Sequence, residues 1–183
     1  MSTEAVKQVF YSEEILIPKD VSVKLENKTL KVKGPKGECE KDFSKMKVNI
    51  EVHEDKIIVS SVKKRKDYYA VARAVVKHIK NLIEGVQKNY VYKLKIVYSH
   101  FPIQVKVEKD RVRIDNFIGE RYPRFAKIVG TNTKVSVEGD DIIVEGPCKE
   151  AVGQTAGNIE NATRIKNKDP RVFLDGVYIY ERS

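Results

Sequence analysis

The sequence predicts an α+β protein of two tandem duplicated domains, each an antiparallel sheet of two hairpins packed on one helix. The first observation is an internal repeat, because residues 21–33 recur 82 positions later as residues 103–115. The second is that both copies alternate apolar and polar residues, a period of two that is typical of half-buried strands. The third is a helical pattern that follows the strands in each copy.

Each half contains the pattern of two hairpins. A short polar link at 26–29, and at 108–111 in the second copy, separates two alternating segments and suits a hairpin turn. Residues 50–59 then match residues 135–144, again with alternate apolar positions. We therefore expect four strands before the helix of each half.

The composition limits the class of protein. Hydrophobic residues make up 41% of 183 residues, which is enough for two small cores but includes no uncharged apolar run of the roughly 20 residues that a membrane span needs. The start lacks the apolar segment of a secretory signal. We expect a soluble intracellular protein without cofactors, in which Cys39 and Cys148 are ordinary reduced side chains and no metal-ligand spacing occurs.

The charge favours a polyanion as partner. The net charge is +9, with an excess of +6 in residues 1–82, +1 in 83–163 and +2 in 164–183. Abundant lysine also keeps the edges of sheets from pairing, so charge alone does not decide the partner. The positions of the basic residues have to be considered separately.

We divide the chain into an N-terminal arm at 1–14, repeat domains at 15–85 and 86–163, and a basic and aromatic tail at 164–183. The arm shows no clear period. Residues 90–98 join the repeats and alternate like a strand, so the two domains are expected to be joined fairly rigidly.

The turn at 34–37, Gly-Pro-Lys-Gly, connects two extended segments. Its glycines supply unusual backbone angles and its proline restricts one dihedral, which favours a hairpin connection. A second interpretation is that its exposed N–H groups and Lys36 approach a phosphate.

The first helix is predicted from Asp67, a capping residue, to a stop at Gly85. Its buried positions recur every three or four residues, at Val71, Val75, Ile79 and Leu82. The basic run at 63–66 precedes it, and basic residues at a helix N-terminus oppose the helix dipole unless an anion binds there. Both RNA contact and a solvated surface remain open for this run.

The second helix is predicted at 149–163. Its buried stripe contains Val152, Ala156, Ile159 and Thr163. Two glycines, Gly153 and Gly157, lie on the opposite side beside Lys149, Gln154 and Asn161. A glycine inside a helix costs about 1 kcal/mol relative to alanine. Close approach of an RNA backbone explains the pair, and the alternatives are drift at tolerant surface positions or a tight contact with a neighbouring loop.

The last 20 residues lie outside the duplication. Residues 164–171 contain four basic residues and one acid, and residues 172–180 are apolar and aromatic. Such a segment buries little surface alone, so we expect it to become ordered against a partner.

Several motifs in this order resemble one known family. They are Ile17-Pro18, the residues 30–37, Asn116-Phe117-Ile118-Gly119-Glu120, Val152-Gly153-Gln154-Thr155-Ala156 with Ile159-Glu160, and the tail residues 165–178. Together they resemble the universal large-subunit ribosomal protein six family, in its archaeal and eukaryotic branch, over nearly the whole chain.

The resemblance implies a structural constituent of the large ribosomal subunit that binds large-subunit rRNA near its 3′ end, close to the sarcin-ricin loop and the translation-factor site. It implies neighbouring ribosomal proteins as further partners, and a cytoplasmic location in the ribosome, nucleolar during assembly in a eukaryote. It implies no small-molecule substrate and no membrane. The implied RNA-binding residues are Lys149, Gly153, Gln154, Gly157, Arg164, Lys166, Asn167, Lys168 and Arg171.

The sequence also bears on two other classes of protein. An enzyme is disfavoured because the sequence has no Gly-x-Ser-x-Gly elbow, no phosphate-binding loop ending in Gly-Lys-Ser/Thr and no metal pair. A free-standing RNA-binding or scaffolding factor is the alternative to a ribosomal protein.

Overall fold

The computed structural model describes residues 11–169 and 171–183. The chain divides into two compact units, Met1–Gln87 and Lys88–Ser183. In the part of the chain that is described, no helix is long and apolar enough to cross a membrane. The same residues include no group of three His, Cys, Asp or Glu side chains placed to hold a metal ion.

The first unit has two antiparallel sheets and one helix. Its elements are β1 Ser12–Leu16, β2 Ser22–Glu26, β3 Thr29–Gly34, β4 Gly37–Asp42, β5 Val48–Val52, β6 Lys56–Ser61 and α1 Lys66–Gln87. One sheet has the order β1-β6-β5 and the other β2-β3-β4. Alternate strand residues such as Leu30 and Ile57 point inward and are fully buried with Ile79 of α1.

The second unit repeats this order and adds one strand. Its elements are β7 Tyr90–Val97, β8 Gln104–Val107, β9 Arg111–Asp115, β10 Arg124–Lys127, β11 Lys134–Glu138, β12 Asp141–Gly146, α2 Lys149–Ala162 and β13 Gly176–Arg182. The sheets have the orders β11-β12-β7-β13 and β10-β9-β8. The core includes Leu94, Ile114 and Ile142 from the strands, with Val152 and Ile159 from α2.

The predicted fold class is confirmed, since each half has strand sheets and one helix. The predicted hairpins are present as β2–β3, β5–β6, β8–β9 and β11–β12. The structure adds a third strand to the short hairpins, β4 and β10, and divides the strands of each unit between two sheets.

The turn at 34–37 is a hairpin connection, with Gly34 opposite Gly37 in the β3–β4 pair. A Cβ at Gly34 would lie 2.8 Å from the Val86 side chain and carbonyl oxygen, so the close approach of α1 requires glycine. The Lys36 N–H donates to the Val86 carbonyl oxygen at 3.0 Å, so that N–H is occupied within the fold.

The predicted stop of the first helix at Gly85 is wrong by two residues. Helix α1 continues to Gln87 because Val86 extends the buried stripe and the Lys36 N–H satisfies one of the last helical carbonyls. The second helix ends at Ala162, one residue before the predicted end, and Thr163 caps it.

The two ends of the chain differ from their predicted boundaries. Residues 1–10 of the predicted arm lie outside the described residues, and β1 already begins at Ser12. The tail was expected to become ordered against a partner, but its residues 176–182 pair within the chain, because β13 lies along the free edge of β7 and places Val177 opposite Ile96.

The expectation of two reduced cysteines is also wrong, since both Cys39 and Cys148 are disulfide-bonded. Pairing depends on the distance and direction between two Cβ atoms in the folded chain, and a count of cysteines does not contain that information.

Candidate RNA-binding surface

Helix α2 has a buried stripe and an outward face, as its spacing predicts. Val152, Ala156 and Ile159 are fully buried. Thr155 is buried as well. Its hydroxyl accepts a hydrogen bond from the Val129 N–H at 2.9 Å, which attaches the helix to the segment that follows β10. The outward face is therefore held in a defined orientation on the second unit.

The glycines of that face have room for a side chain. A Cβ at Gly157 would have no neighbouring heavy atom within 4 Å, and a Cβ at Gly153 would come no closer than 3.5 Å, to the Tyr92 hydroxyl. Gly157 therefore faces open space, and a Cβ at Gly153 would make an ordinary van der Waals contact, whereas a Cβ at Gly34 would clash with Val86. The fold of the second unit therefore does not need glycine at either position, which removes the alternative of a tight contact with a neighbouring loop.

Lys149 and Gln154 lie on the exposed part of the same helix. Lys149 is in the first turn, and its ammonium group lies 5.2 Å from the centre of the Tyr90 ring. The Gln154 amide donates to Asn158 at 2.9 Å, and Asn158 donates to the Lys127 carbonyl oxygen at 2.9 Å. These contacts order polar groups at the surface of α2.

The basic segment follows directly from the end of α2. Arg164, Lys166, Asn167, Lys168 and Arg171 are all exposed. Within residues 11–169 and 171–183, the Arg164 and Lys166 side chains make no hydrogen bond or ion pair, and both are available to an external anion. Asn167 has a positive φ of 58°, a left-handed conformation that asparagine tolerates better than most residues.

Two of these side chains have contacts inside the segment. Arg171 forms an ion pair with Asp169 at 3.2 Å, and this hydrogen bond lowers the pKa of the Asp169 carboxyl. The Lys168 ammonium lies 4.8 Å from the centre of the Phe173 ring. The Arg171 side chain is 88% exposed, so the pair with Asp169 is easily exchanged for a phosphate.

Asp175 anchors the far end of this segment. Its carboxylate accepts hydrogen bonds from the N–H groups of Ser99 at 2.8 Å and His100 at 3.1 Å, and lies 2.7 Å from His100 Nδ1. Burial opposes ionisation of Asp175, but the hydrogen bonds from His100 and Ser99 outweigh it and lower the pKa to about 2. The Phe173 ring stacks on His100 with ring centres 4.7 Å apart.

The near end of the segment is also fixed. Thr163 is buried, and its hydroxyl accepts a hydrogen bond from the Val177 N–H at 3.0 Å. The Arg124 guanidinium donates to the carbonyl oxygens of Ala162 at 2.9 Å and Arg164 at 3.1 Å. The described residues of this segment, 164–169 and 171–175, thus belong to a loop tied to the second unit at both ends, and not to a free arm.

The structure brings together some of the predicted residues and separates others. Arg164 follows the last turn of α2, whereas Lys149 lies at the other end of the helix, about 22 Å away at a rise of 1.5 Å per residue. The two glycines lie between them on the outward face. Lys149 and Arg164 therefore lie at opposite ends of α2, and Lys166, Asn167, Lys168 and Arg171 follow in the segment after the helix.

Sequence reasoning missed Arg124 and Thr163 as the residues that hold this surface in place. Arg124 belongs to no periodic pattern. The two residues whose carbonyl oxygens accept its hydrogen bonds are 38 and 40 residues away in sequence. The basic run at 63–66 is exposed and includes Lys66, the first residue of α1, and both RNA contact and a solvated surface remain open for it.

The family model described as ribosomal protein L6 matches the chain twice, at residues 17–89 and 101–176. One match falls in each of the two α+β units, apart from residues 88 and 89. The fold and its duplicated core thus define a ribosomal protein rather than an enzyme.

Curated archaeal relatives match nearly the full length and carry the name large ribosomal subunit protein uL6. The relative from Staphylothermus marinus is 51% identical over 180 residues, which is 96% of this chain and 97% of the relative. That from Aeropyrum pernix is 48% identical over 177 residues, again 96% and 97%. That from Methanothrix thermoacetophila is 46% identical over 166 residues, 91% and 94%. The chain belongs to the ribosomal protein L6 family.

Proposed function

We propose that this protein is a structural constituent of the large ribosomal subunit, where it binds large-subunit rRNA near the 3′ end, close to the sarcin-ricin loop and the translation-factor site. Neighbouring large-subunit proteins are its further partners, and its location is the cytoplasmic ribosome. Family membership supports assembly into a ribosome, and the outward face of α2 with the loop at 164–175 supports RNA as the direct partner.

The single observation that carries the RNA contact is the pair of glycines. Gly153 and Gly157 have room for a Cβ, so the fold gains nothing from them and the helix is less stable for their presence. An external backbone that packs within van der Waals distance of α2 would require that neither position carries a side chain. Lys149 and the basic loop flank this bare strip and supply the charge that an RNA backbone requires.

Binding would be mainly electrostatic and shape-dependent. Lys and Arg side chains neutralise phosphates and release counterions, while the fixed loop sets the register between RNA elements. If about six phosphates are contacted, the logarithm of affinity falls with the logarithm of salt concentration at a slope of roughly −4 to −5.

The test is chemical footprinting on the large-subunit rRNA of the same organism, with a titration at several salt concentrations. Lys166, Lys168 and Arg171 are changed together to Ala. We expect protection near the 3′ end that weakens in the variant, and a salt slope that becomes shallower by about 2 to 3.

The matched control removes three charges elsewhere. Lys24, Lys31 and Lys33 lie on the β2–β3 hairpin, where Glu40 is opposite Lys31 and Glu38 opposite Lys33. Their change to Ala is expected to leave the salt slope within 1 of the original value, since all three lie in the first unit outside the proposed surface, and Lys31 and Lys33 face carboxylates. A wild-type protein that gives no localised protection would refute the proposal and favour a free-standing factor. A salt slope near zero would refute the electrostatic mode of binding.

A further inference from the structure

The loop at 116–123, between β9 and β10, contains a family motif that the proposed surface does not use. Its backbone is strained. Asn116, Ile118 and Gly119 have φ values of 59°, 51° and 73°. A left-handed conformation is unusual for a β-branched residue such as Ile118, and it persists only where the surroundings impose it.

Contacts with the rest of the second unit hold this conformation. The Phe117 side chain is 1% exposed and belongs to the core of the second unit. The Asn116 amide donates to the Pro102 carbonyl oxygen at 3.0 Å. A Cβ at Gly119 would lie 3.3 Å from the Phe101 ring, so that ring packs close against the loop.

Arg124 joins the loop to the proposed RNA-binding surface. Its guanidinium lies 4.2 Å from the centre of the Phe117 ring and forms two hydrogen bonds with Glu120, at 2.6 and 2.8 Å. The same guanidinium donates to the carbonyl oxygens of Ala162 and Arg164. One side chain thus ties the loop to the point where α2 passes into the basic loop.

The rigid loop presents two side chains that the fold does not use. Tyr122 is 85% exposed, more than the other exposed large hydrophobic residues of the described chain. Arg121 is exposed and makes no hydrogen bond or ion pair within the described ranges 11–169 and 171–183. A strained, anchored loop that leaves a tyrosine and an arginine in solvent is arranged for an external ligand.

From this arrangement we infer that the loop at 116–123 is a nucleotide-binding element, in which Tyr122 stacks on an unpaired base of the RNA and Arg121 contacts the adjoining phosphate. An aromatic face suits any nucleobase, and bases exposed in RNA loops and bulges are the ones proteins stack on. The inference rests on the proposed function, because the RNA bound by α2 and the basic loop supplies the base. A neighbouring protein is the competing occupant.

The first test compares Tyr122→Ala with Tyr122→Phe in binding to the large-subunit rRNA. Loss of stacking lowers affinity by roughly 5- to 150-fold. The Phe variant keeps the ring and is expected to bind within about twofold of wild type. Tyr180→Ala is the matched control, because Tyr180 is another exposed tyrosine of the second unit, at 55%.

Two more measurements complete the test. Urea unfolding of Tyr122→Ala is expected to match wild type, since so exposed a ring contributes little to the core. A photo-crosslinking amino acid at position 122 is expected to capture an unpaired nucleotide when large subunits are irradiated. Capture of a protein, or unchanged affinity of Tyr122→Ala beside normal 3′-end protection, would overturn this inference alone. Absence of protection by the wild-type protein would overturn the proposed function as well.

Discussion

Replacing Gly153 and Gly157 by alanine separates the stability of α2 from its ability to bind RNA. Alanine is favoured over glycine inside a helix by about 1 kcal/mol. The added Cβ atoms have space, with the Tyr92 hydroxyl at 3.5 Å from the first and no heavy atom within 4 Å of the second. The double variant is therefore expected to be more stable than wild type by about 2 kcal/mol.

Binding is expected to change in the opposite direction. Two Cβ atoms on the outward face would hold an RNA backbone away from α2 and weaken the contacts along the strip. We expect affinity for the large-subunit rRNA to fall at least tenfold, which corresponds to about 1.4 kcal/mol. Urea unfolding followed by circular dichroism gives the stability, and a filter-binding titration at fixed salt gives the affinity.

Asn161→Ala is the control on the same face, because Asn161 is exposed beside the glycines but is not one of the residues expected to bind RNA. The change improves helix propensity by roughly half a kcal/mol and adds no bulk, so binding is expected to stay within about threefold of wild type. Unchanged affinity of the glycine double variant would refute close RNA approach and leave drift at tolerant positions as the explanation. A loss of stability would refute the inference that the glycines lie in open space.

Two further predictions concern the end of the chain. A truncation after Thr163 is expected to unfold the second unit, because it removes β13 and the buried Asp175 and Val177; calorimetry that shows a full-size transition for this unit would contradict the strand's place in the core. Asp175 is ionised with a folded pKa of about 2 against an ordinary 3.8. Its contribution of about 2 kcal/mol is therefore present above pH 4 and lost as the pH falls towards 2. Asp175→Asn is expected to show a shallower loss of stability than wild type over that window, and parallel curves would contradict this assignment.

Several elements could be predicted from sequence because their signal is local. The recurrence of residues 21–33 as residues 103–115 indicated the duplication. The alternation of apolar and polar residues predicted the hairpins β2–β3 and β8–β9. Spacing of three or four residues placed the buried stripe of α2 on Val152, Ala156 and Ile159, all of which are fully buried. A regular period is visible in sequence because a core needs apolar residues on one side of each element.

Strand β10 was missed, and β4 was indicated only by the turn at 34–37, for the matching reason. Each has one buried residue, Cys39 in β4 and Ala126 in β10. One buried position gives no period to detect. These strands are therefore recognised only from their hydrogen-bonded pairing with β3 and β9 in the folded chain. The same holds for β13, whose role depends on the free edge of β7.

For the candidate surface, the sequence by itself determined which residues are candidates, since glycines off the buried stripe and a basic run after a helix are visible without coordinates. Only the tertiary structure decided that the glycines have open space and that the basic segment is a loop tied at both ends. It also decided that Arg124 joins the loop at 116–123 to the end of α2. These features depend on distances between residues far apart in the chain, and such distances are set when the whole core packs.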